Sequence, residues 1–282
     1  MSSVNYDPHA GAVLPTGNES GATRHRDDTE PWYETFPWWA VLMGIIFAVL
    51  VGLVVFDAGY NQAYDRIIPG LWLTVKATLA SFAIACSAGL LLALMRTSGS
   101  VVMRNLSRTY VEFIRGIPML VLIFTITLVV VPEVSNSLGM QNRISPFWRA
   151  VIALSLIYAG YIAEIFRAGI ESVDRGQVEA GRSLGLSRRD TTRSIVLPQA
   201  LRAVVPPLGN DFIAVLKDTS LLSTVGVLEI TQNARQYSAG SFKFRDAYLA
   251  TTLIYLSLTI LLSLLLAFLE RRLSAGRTAV RS

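Results

Sequence analysis

Charge is scarce in this chain. Charged residues fill 16% of its 282 positions, where a soluble domain usually carries about 25%, and the mean hydropathy is +0.47. That shortage excludes an ordinary water-soluble fold. The single cysteine, Cys86, lies in an apolar run, so no disulfide framework can form. The two histidines, His9 and His25, fall in a polar N-terminal stretch, and no metal-ligand cluster is readable. There is no G-x-x-x-x-G-K-[ST], so the chain has no phosphate-cradling loop of its own. No Ser/His/Asp constellation is present either. The chain is expected not to be an enzyme by itself.

Long uncharged runs are what it does have. Pro37 to Phe56 gives 20 residues without a charge, Ala77 to Met95 gives 19, Gly116 to Pro132 gives 17 and Ala247 to Leu269 gives 23. Twenty residues make about 30 Å of helix, the thickness of a hydrocarbon core. Two further spans, Phe147 to Gly169 and Gln199 to Leu228, carry internal charges. In lipid the backbone must satisfy its own polar groups, so these segments have to be helical. The expected fold is an all-α integral membrane protein with about six transmembrane helices. Residues 1–36 are polar and read as a disordered tail. No small-residue cleavage site follows a short apolar region, so the first run does not read as a signal peptide.

The distribution of basic residues gives an orientation. With the N-terminus inside, the inner segments hold 14 Lys and Arg and the outer loops hold 6. The positive-inside rule then places both termini, and the tail 274–282, in the cytoplasm. The net charge of +5 is therefore a topology signal and not a nucleic-acid patch.

Between the fourth and fifth spans lies a polar stretch, "QVEAGRSLGLSRRDTTRSIVLP", Gln177 to Pro198, with four arginines. Asp174 followed by Gln177 has the spacing of a reciprocal helix cap. A short helix is expected to run to about Leu184 and stop at Gly185 in the left-handed region. Ser187 with Asp190 repeats the start signal, which predicts a helix–turn–helix lying at the membrane surface.

Within it, Glu179-Ala180-Gly181, three residues, Gly185, nine residues, then Ile195-Val196-Leu197-Pro198 follow the pattern EAA, x3, G, x9, I-x-L-P. This loop resembles the signature of membrane subunits of ATP-binding-cassette importers. Gly181 departs from it where the family favours alanine. "GLWLTVKATL", "YVEFIRGIPMLV", "YIAEIFRAGIESV" and "PPLGNDFIAVLKDTSLLS" look like the polar amino-acid branch of these permeases. The resemblance covers Gly70 to about Leu273. It implies a type I importer core of five helices, residues 68–273, with the helix at 37–56 as an addition. It also implies a second permease copy or sister permease, separate ATPase subunits that bind the ATP and Mg, and an extracytoplasmic solute-binding protein. The seat would be the bacterial inner membrane. The helix around Glu179–Leu184 would be the coupling helix, with Glu179, Ala180, Gly181, Gly185, Ile195, Leu197 and Pro198 forming the ATPase-facing loop. Two rival readings stay open: the same transporter class for an opine or compatible solute, and a non-transporting anchor or sensor partner.

Ionisable groups inside spans are functional candidates, because an unpaired charge there is costly. Glu112 with Arg115, and Glu164 with Arg167, are each three apart and share a helix face; they read as local pairs or as an inner gate between two permeases. Pro206-Pro207 removes two backbone donors, and Asn210, Asp211, Lys217, Asp218, Thr219 and Ser220 follow. A zwitterionic amino acid needs acceptors for its ammonium and donors for its carboxylate, and this region offers both. Lys76 is expected to snorkel to the interface. Ile117 and Leu122 stand where the family often has Thr and Gln, which puts the usual substrate preference in question.

Overall fold

The computed structural model describes residues 38–139 and 144–274, and all regular structure among them is helical. The tails at 1–36 and 275–282, both histidines and Arg143 lie outside the described residues. The chain divides into two units, Met1–Met43 and Gly44–Ser282. Of the first, only the opening turns of a helix are described.

That helix, α1 (Trp38–Phe56), is apolar throughout. Leu50 and Val54 in its later turns pack with Tyr60 and Leu253. The Asp57 carboxylate then accepts from the Gly59 amide at 2.8 Å and starts α2 (Ala58–Ile67). A 3-10 turn, Ile68–Gly70, leads without a break into α3 (Leu71–Thr97). The run from Ala58 to Thr97 is 40 residues, about 60 Å long and twice a hydrocarbon core. The expected span Ala77–Met95 is thus only the later part of this rod. Its first part, α2, packs Ala63 and Ile67 against Ile230, Ala234, Ala247 and Ala250.

Ser100 caps α4 (Val101–Gly116). The helix breaks at Ile117, extended at φ −115 and ψ 138, as the residue before a proline prefers. The next rod, α5 (Met119–Ser137), runs on past Pro132, where the sequence reading ended it. A π-turn, Thr125–Val130, precedes the proline, and the Val131 amide bonds Ile126 O, five residues back. The wider turn makes room for a ring that would clash with the carbonyl four residues behind it.

The most buried element is α6 (Pro146–Glu171), whose Val151, Leu154 and Ile157 are fully enclosed. It meets α3 along a stripe of small buried residues four apart, Ala77, Ser81, Ala85, Gly89 and Ala93. A Cβ on Gly89 would lie 2.8 Å from Ile162 Cγ2 and 3.1 Å from the Ala163 amide nitrogen. Small residues permit that close approach, which is how helices associate when lipid offers no hydrophobic drive.

After α7 (Arg175–Ser183), the turn Arg188–Thr191, a second π-turn Thr192–Val196 and α8 (Leu197–Asp218) form one continuous rod. The second half of the expected surface helix–turn–helix is therefore the root of a span. The π-turn again sits just before a proline, Pro198, with the Leu197 amide on Thr192 O. Pro206 and Pro207 lie inside α8. The expected span Gln199–Leu228 is shorter: α8 ends at Asp218, and a 3-10 turn, Thr219–Val225, closes on Gly226 at φ 85. Then come α9 (Ile230–Ser241) and α10 (Phe244–Ser274).

Among the described residues, four helical segments are long and apolar enough to cross a membrane: Ala58–Thr97, Met119–Ser137, Pro146–Glu171 and Phe244–Glu270. With α1 and α8 they correspond to the six expected spans. At 22 residues, about 33 Å, α8 has the length but carries Arg202, Asp211, Lys217 and Asp218. Below, the loop end is the end bearing α7; the far end is the opposite one, built by α2, α9 and the start of α10.

Candidate functional sites at the loop end and within the spans

At the loop end, Asp174 Oδ1 accepts from the amides of Gly176 at 2.6 Å and Gln177 at 3.3 Å. Gln177 does not return the bond that a reciprocal cap requires. Its Oε1 instead accepts from Gln199 Nε2 at 2.6 Å, tying α7 to the root of α8. The helix closes with two bonds, Leu186 N to Gly181 O at 3.1 Å and Gly185 N to Arg182 O at 2.9 Å. This is the paired closure that needs a left-handed residue, and Gly185 supplies it at φ 84. Ser187 Oγ accepts from the Asp190 amide at 3.2 Å and donates to Asp190 Oδ2 at 2.6 Å.

The faces of α7 differ. Gly181 is buried, and a Cβ there would lie 2.6 Å from Ile195 Cδ1. Its departure from alanine thus lets Ile195 close over the helix. Glu179, Ala180 and Arg182 are exposed, and Leu184 is 85% exposed at the tip. Leu197 and Pro198 are exposed as well. Leu184 was not singled out from the sequence, because an apolar residue one place before a helix-ending glycine looks like a core contact.

Within the spans, Glu164 accepts from Arg96 Nη1 at 3.1 Å and also pairs with Arg167, which reaches on to Glu171. Glu112 and Arg115 differ from this expectation: among the described residues no bond joins them, and both are exposed. Arg115 instead lines a cavity of about 440 Å³ together with Tyr161, Glu164, Ala203, Pro207 and Asp211. Asp211 Oδ2 is buried and has no hydrogen-bond partner among the described residues. Seven residues on, and so on the same face, Asp218 Oδ2 accepts from the Tyr158 hydroxyl at 2.6 Å. Asn210 and Lys217 are exposed on other faces. Thr219 is buried, its hydroxyl on Leu216 O at 2.6 Å, and Ser220 is half-buried; both lie in the 3-10 turn, beyond the span. Arg115, Glu164 and Asp211 are thus brought together, while Glu112, Asn210 and Lys217 are not.

Leu122 is 3% exposed in the main core, so the apolar residue there serves packing. Lys76 lies over the rings of Phe147 at 5.1 Å and Trp148 at 5.8 Å. This is a cation–π seat for a lysine that remains exposed.

Glu229 escaped the sequence reading. It is fully buried at the far end, outside the spans, and caps α9. It accepts from the Gln232 amide at 2.7 Å, the Thr231 amide at 2.8 Å and the Tyr255 hydroxyl at 2.9 Å. Burial pushes its carboxyl up to about 7, against the opposing pull of those donors. Glutamate is not a favoured cap, so only the preceding Gly226 offered a signal.

A family model described as "Binding-protein-dependent transport system inner membrane component" matches residues 85–275. The chain is 39% identical over 213 residues to the probable amino-acid permease protein YxeN of Bacillus subtilis, covering 76% of this chain and 93% of that one. It is 38% identical over 203 residues to the glutamine transport system permease protein GlnP of Escherichia coli K12, covering 72% and 89%. Among solved structures, an amino acid ABC transporter with histidines superposes with a TM-score of 0.68 at 34% identity, over 75% of this chain and 96% of that one.

Proposed function

Because the chain belongs to the family of binding-protein-dependent transport system inner membrane components, we propose that it is the permease subunit of an importer for a polar amino acid. The observation that carries the substrate class is the cavity between α4, α6 and α8. One cation, Arg115 of α4, and two carboxylates, Glu164 and Asp211 of the spanning helices α6 and α8, line it. An α-amino acid presents one group of each sign, and a desolvated carboxylate without a partner is the natural seat for an ammonium. Relatives named for amino acids, glutamine and cystine favour this over an opine or a compatible solute, and over a mute membrane anchor.

In this reading the chain works by alternating access, paired with a second permease. Separate ATPase subunits bind ATP and Mg and seat the α7 tip, Glu179 to Leu184, in a surface groove. Closing of the ATPases moves α7, and the Gln177–Gln199 bond passes that motion to the root of α8, the rod that carries Asp211. Both termini face the cytoplasm, as the Lys and Arg distribution supports.

The test is uptake of a labelled amino-acid panel by proteoliposomes holding this chain, its ATPases and its binding protein. ATP-dependent uptake of a polar or charged L-amino acid is expected, with no response to sugars, peptides or metal ions. Uptake confined to a solute that is not an amino acid overturns the substrate class.

A further inference from the structure

A second cavity at the loop end, of about 790 Å³, shares no lining residue with the charged one between α4, α6 and α8. Three spanning helices, α3, α6 and α8, form its walls, and α7 adds Arg175 and Val178. Along the rod of α8 it runs from Thr192 to Val204, about 18 Å of helix. One leaflet of hydrocarbon is about 15 Å deep. The cavity is therefore about as deep as one leaflet.

Its lining is sorted by polarity. Thr97 ends α3, Glu171 ends α6, Arg175 starts α7 and Thr192 opens the π-turn, so every polar lining residue sits at the loop end. The rest of the lining is leucine, isoleucine, valine, alanine and phenylalanine. An amphiphile lying along the bilayer normal, its head at the interface, has this same division.

Charge selects the head. Glu171 is engaged by Arg167, and the neighbouring Asp174 is held by two amides of α7. Both threonine hydroxyls donate to backbone carbonyls, Thr97 to Ala93 O at 3.2 Å and Thr192 to Arg188 O at 2.9 Å. That leaves Arg175, which is exposed and joins no ion pair among the described residues. A guanidinium fork matches the oxygens of a phosphate. The cavity is also open to what surrounds the bundle, since Leu94 of α3 and Leu201 of α8 in its wall are 52% and 50% exposed.

We propose that this cavity binds an anionic glycerophospholipid of the cytoplasmic leaflet, with an acyl chain along α8 and the phosphate on Arg175. The leaflet follows from the Lys and Arg distribution, which puts the loop end in the cytoplasm. A fluid chain fills the space into which α7 and the α8 root shift, without the cost of an empty apolar void. The site calls only for spanning helices, whatever solute the importer carries.

The test titrates lipid onto the detergent-purified importer, this chain with its ATPases, and counts bound lipid by native mass spectrometry. Phosphatidylglycerol is expected to bind about tenfold more tightly than phosphatidylcholine. Arg175→Gln should abolish that preference, and Arg175→Lys should keep most of it. Arg189→Gln, exposed at the same end but outside the cavity, should leave it unchanged. Ala200→Phe, which fills the apolar part with Arg175 intact, should weaken both lipids about tenfold. The two variants act at opposite ends of the cavity, so a folding defect in Ala200→Phe leaves the Arg175 comparison standing. No preference in the wild type, or an undiminished one in Arg175→Gln, overturns the site. Equal loss in Arg189→Gln also overturns it, because a general basic surface would then hold the lipid. In cells, p-benzoylphenylalanine at position 201 is expected to give a lipid adduct. Products only with a second copy of this chain or with another protein, or no product, overturn the lipid as occupant.

Discussion

The two ends of the bundle are held together by different kinds of contact. At the loop end, elements meet through side chains: Gln177 on Gln199, Glu164 between Arg96 and Arg167, and Ile195 over Gly181. Space remains there, including an apolar cavity of about 790 Å³ bounded by Leu94, Phe166, Val178, Val196 and Ala200. At the far end, backbone lies on backbone. A Cβ on Gly70 would fall 2.6 Å from both Glu229 C and Ile230 N. Thr74 Oγ1 accepts from that Ile230 amide at 3.3 Å, and the Glu229 carboxylate is enclosed by its donors. Side-chain contacts can exchange partners at low cost, whereas a backbone clamp has no alternative arrangement nearby. The loop end is the part suited to move, and the far end is the platform it moves against.

The largest expected effect comes from breaking the clamp. Gly70→Val has no flexible neighbour to push aside, and overpacking of this kind costs about 1–3 kcal/mol or more. The purified protein should unfold roughly 5 °C lower or worse, with reduced membrane levels. A wild-type melting profile would show that the far end is not clamped by backbone.

A smaller effect is expected where charge does the work. Asp211→Asn keeps shape and burial but removes the unpartnered carboxylate. Losing a charged hydrogen bond of about 1.5–3 kcal/mol should cut uptake about tenfold or more at equal membrane level. Glu112→Gln, outside the cavity, should leave uptake within twofold. Equal losses in both variants would mean that the cavity does not select the solute.

The smallest expected effect is a pH dependence at the far end. Glu229 binds its proton more tightly in the folded chain, at about 7 against an ordinary 4.5. Its contribution to stability is therefore complete below about pH 4.5 and is lost as pH rises through about 7. The wild-type unfolding temperature should fall between pH 5 and pH 8, and Glu229→Gln should flatten that slope. An unaltered slope in the variant would assign the titration to another group.

The helices and the loop motif were legible from the sequence because their signals are local. Uncharged length marks a span, and Gly185, Ser187 and Asp174 mark turns by chemistry that acts within a few residues. What was missed depends on distant partners. Gln177 has the spacing of a cap, yet Gln199 lies 22 positions away and takes its side chain. Pro132 reads as a helix end, but a π-turn carries the rod past it. Glu229 looked like one more loop carboxylate, since nothing local announces burial under Tyr255. Of the candidate pathway residues, Arg115, Glu164 and Asp211 converge because α4, α6 and α8 pack, which no spacing within one segment reveals.

The most direct measurement compares ATP hydrolysis with solute uptake in wild type and Gly185→Val, reconstituted at equal levels with the same partners. Valine at a left-handed position should disrupt the closure of α7 without touching any span. The expected result is normal insertion, with uptake per ATP hydrolysed at least tenfold lower, a loss of about 1.4 kcal/mol of coupling. Wild-type uptake per ATP in Gly185→Val would contradict the claim that the loop end transmits the motion.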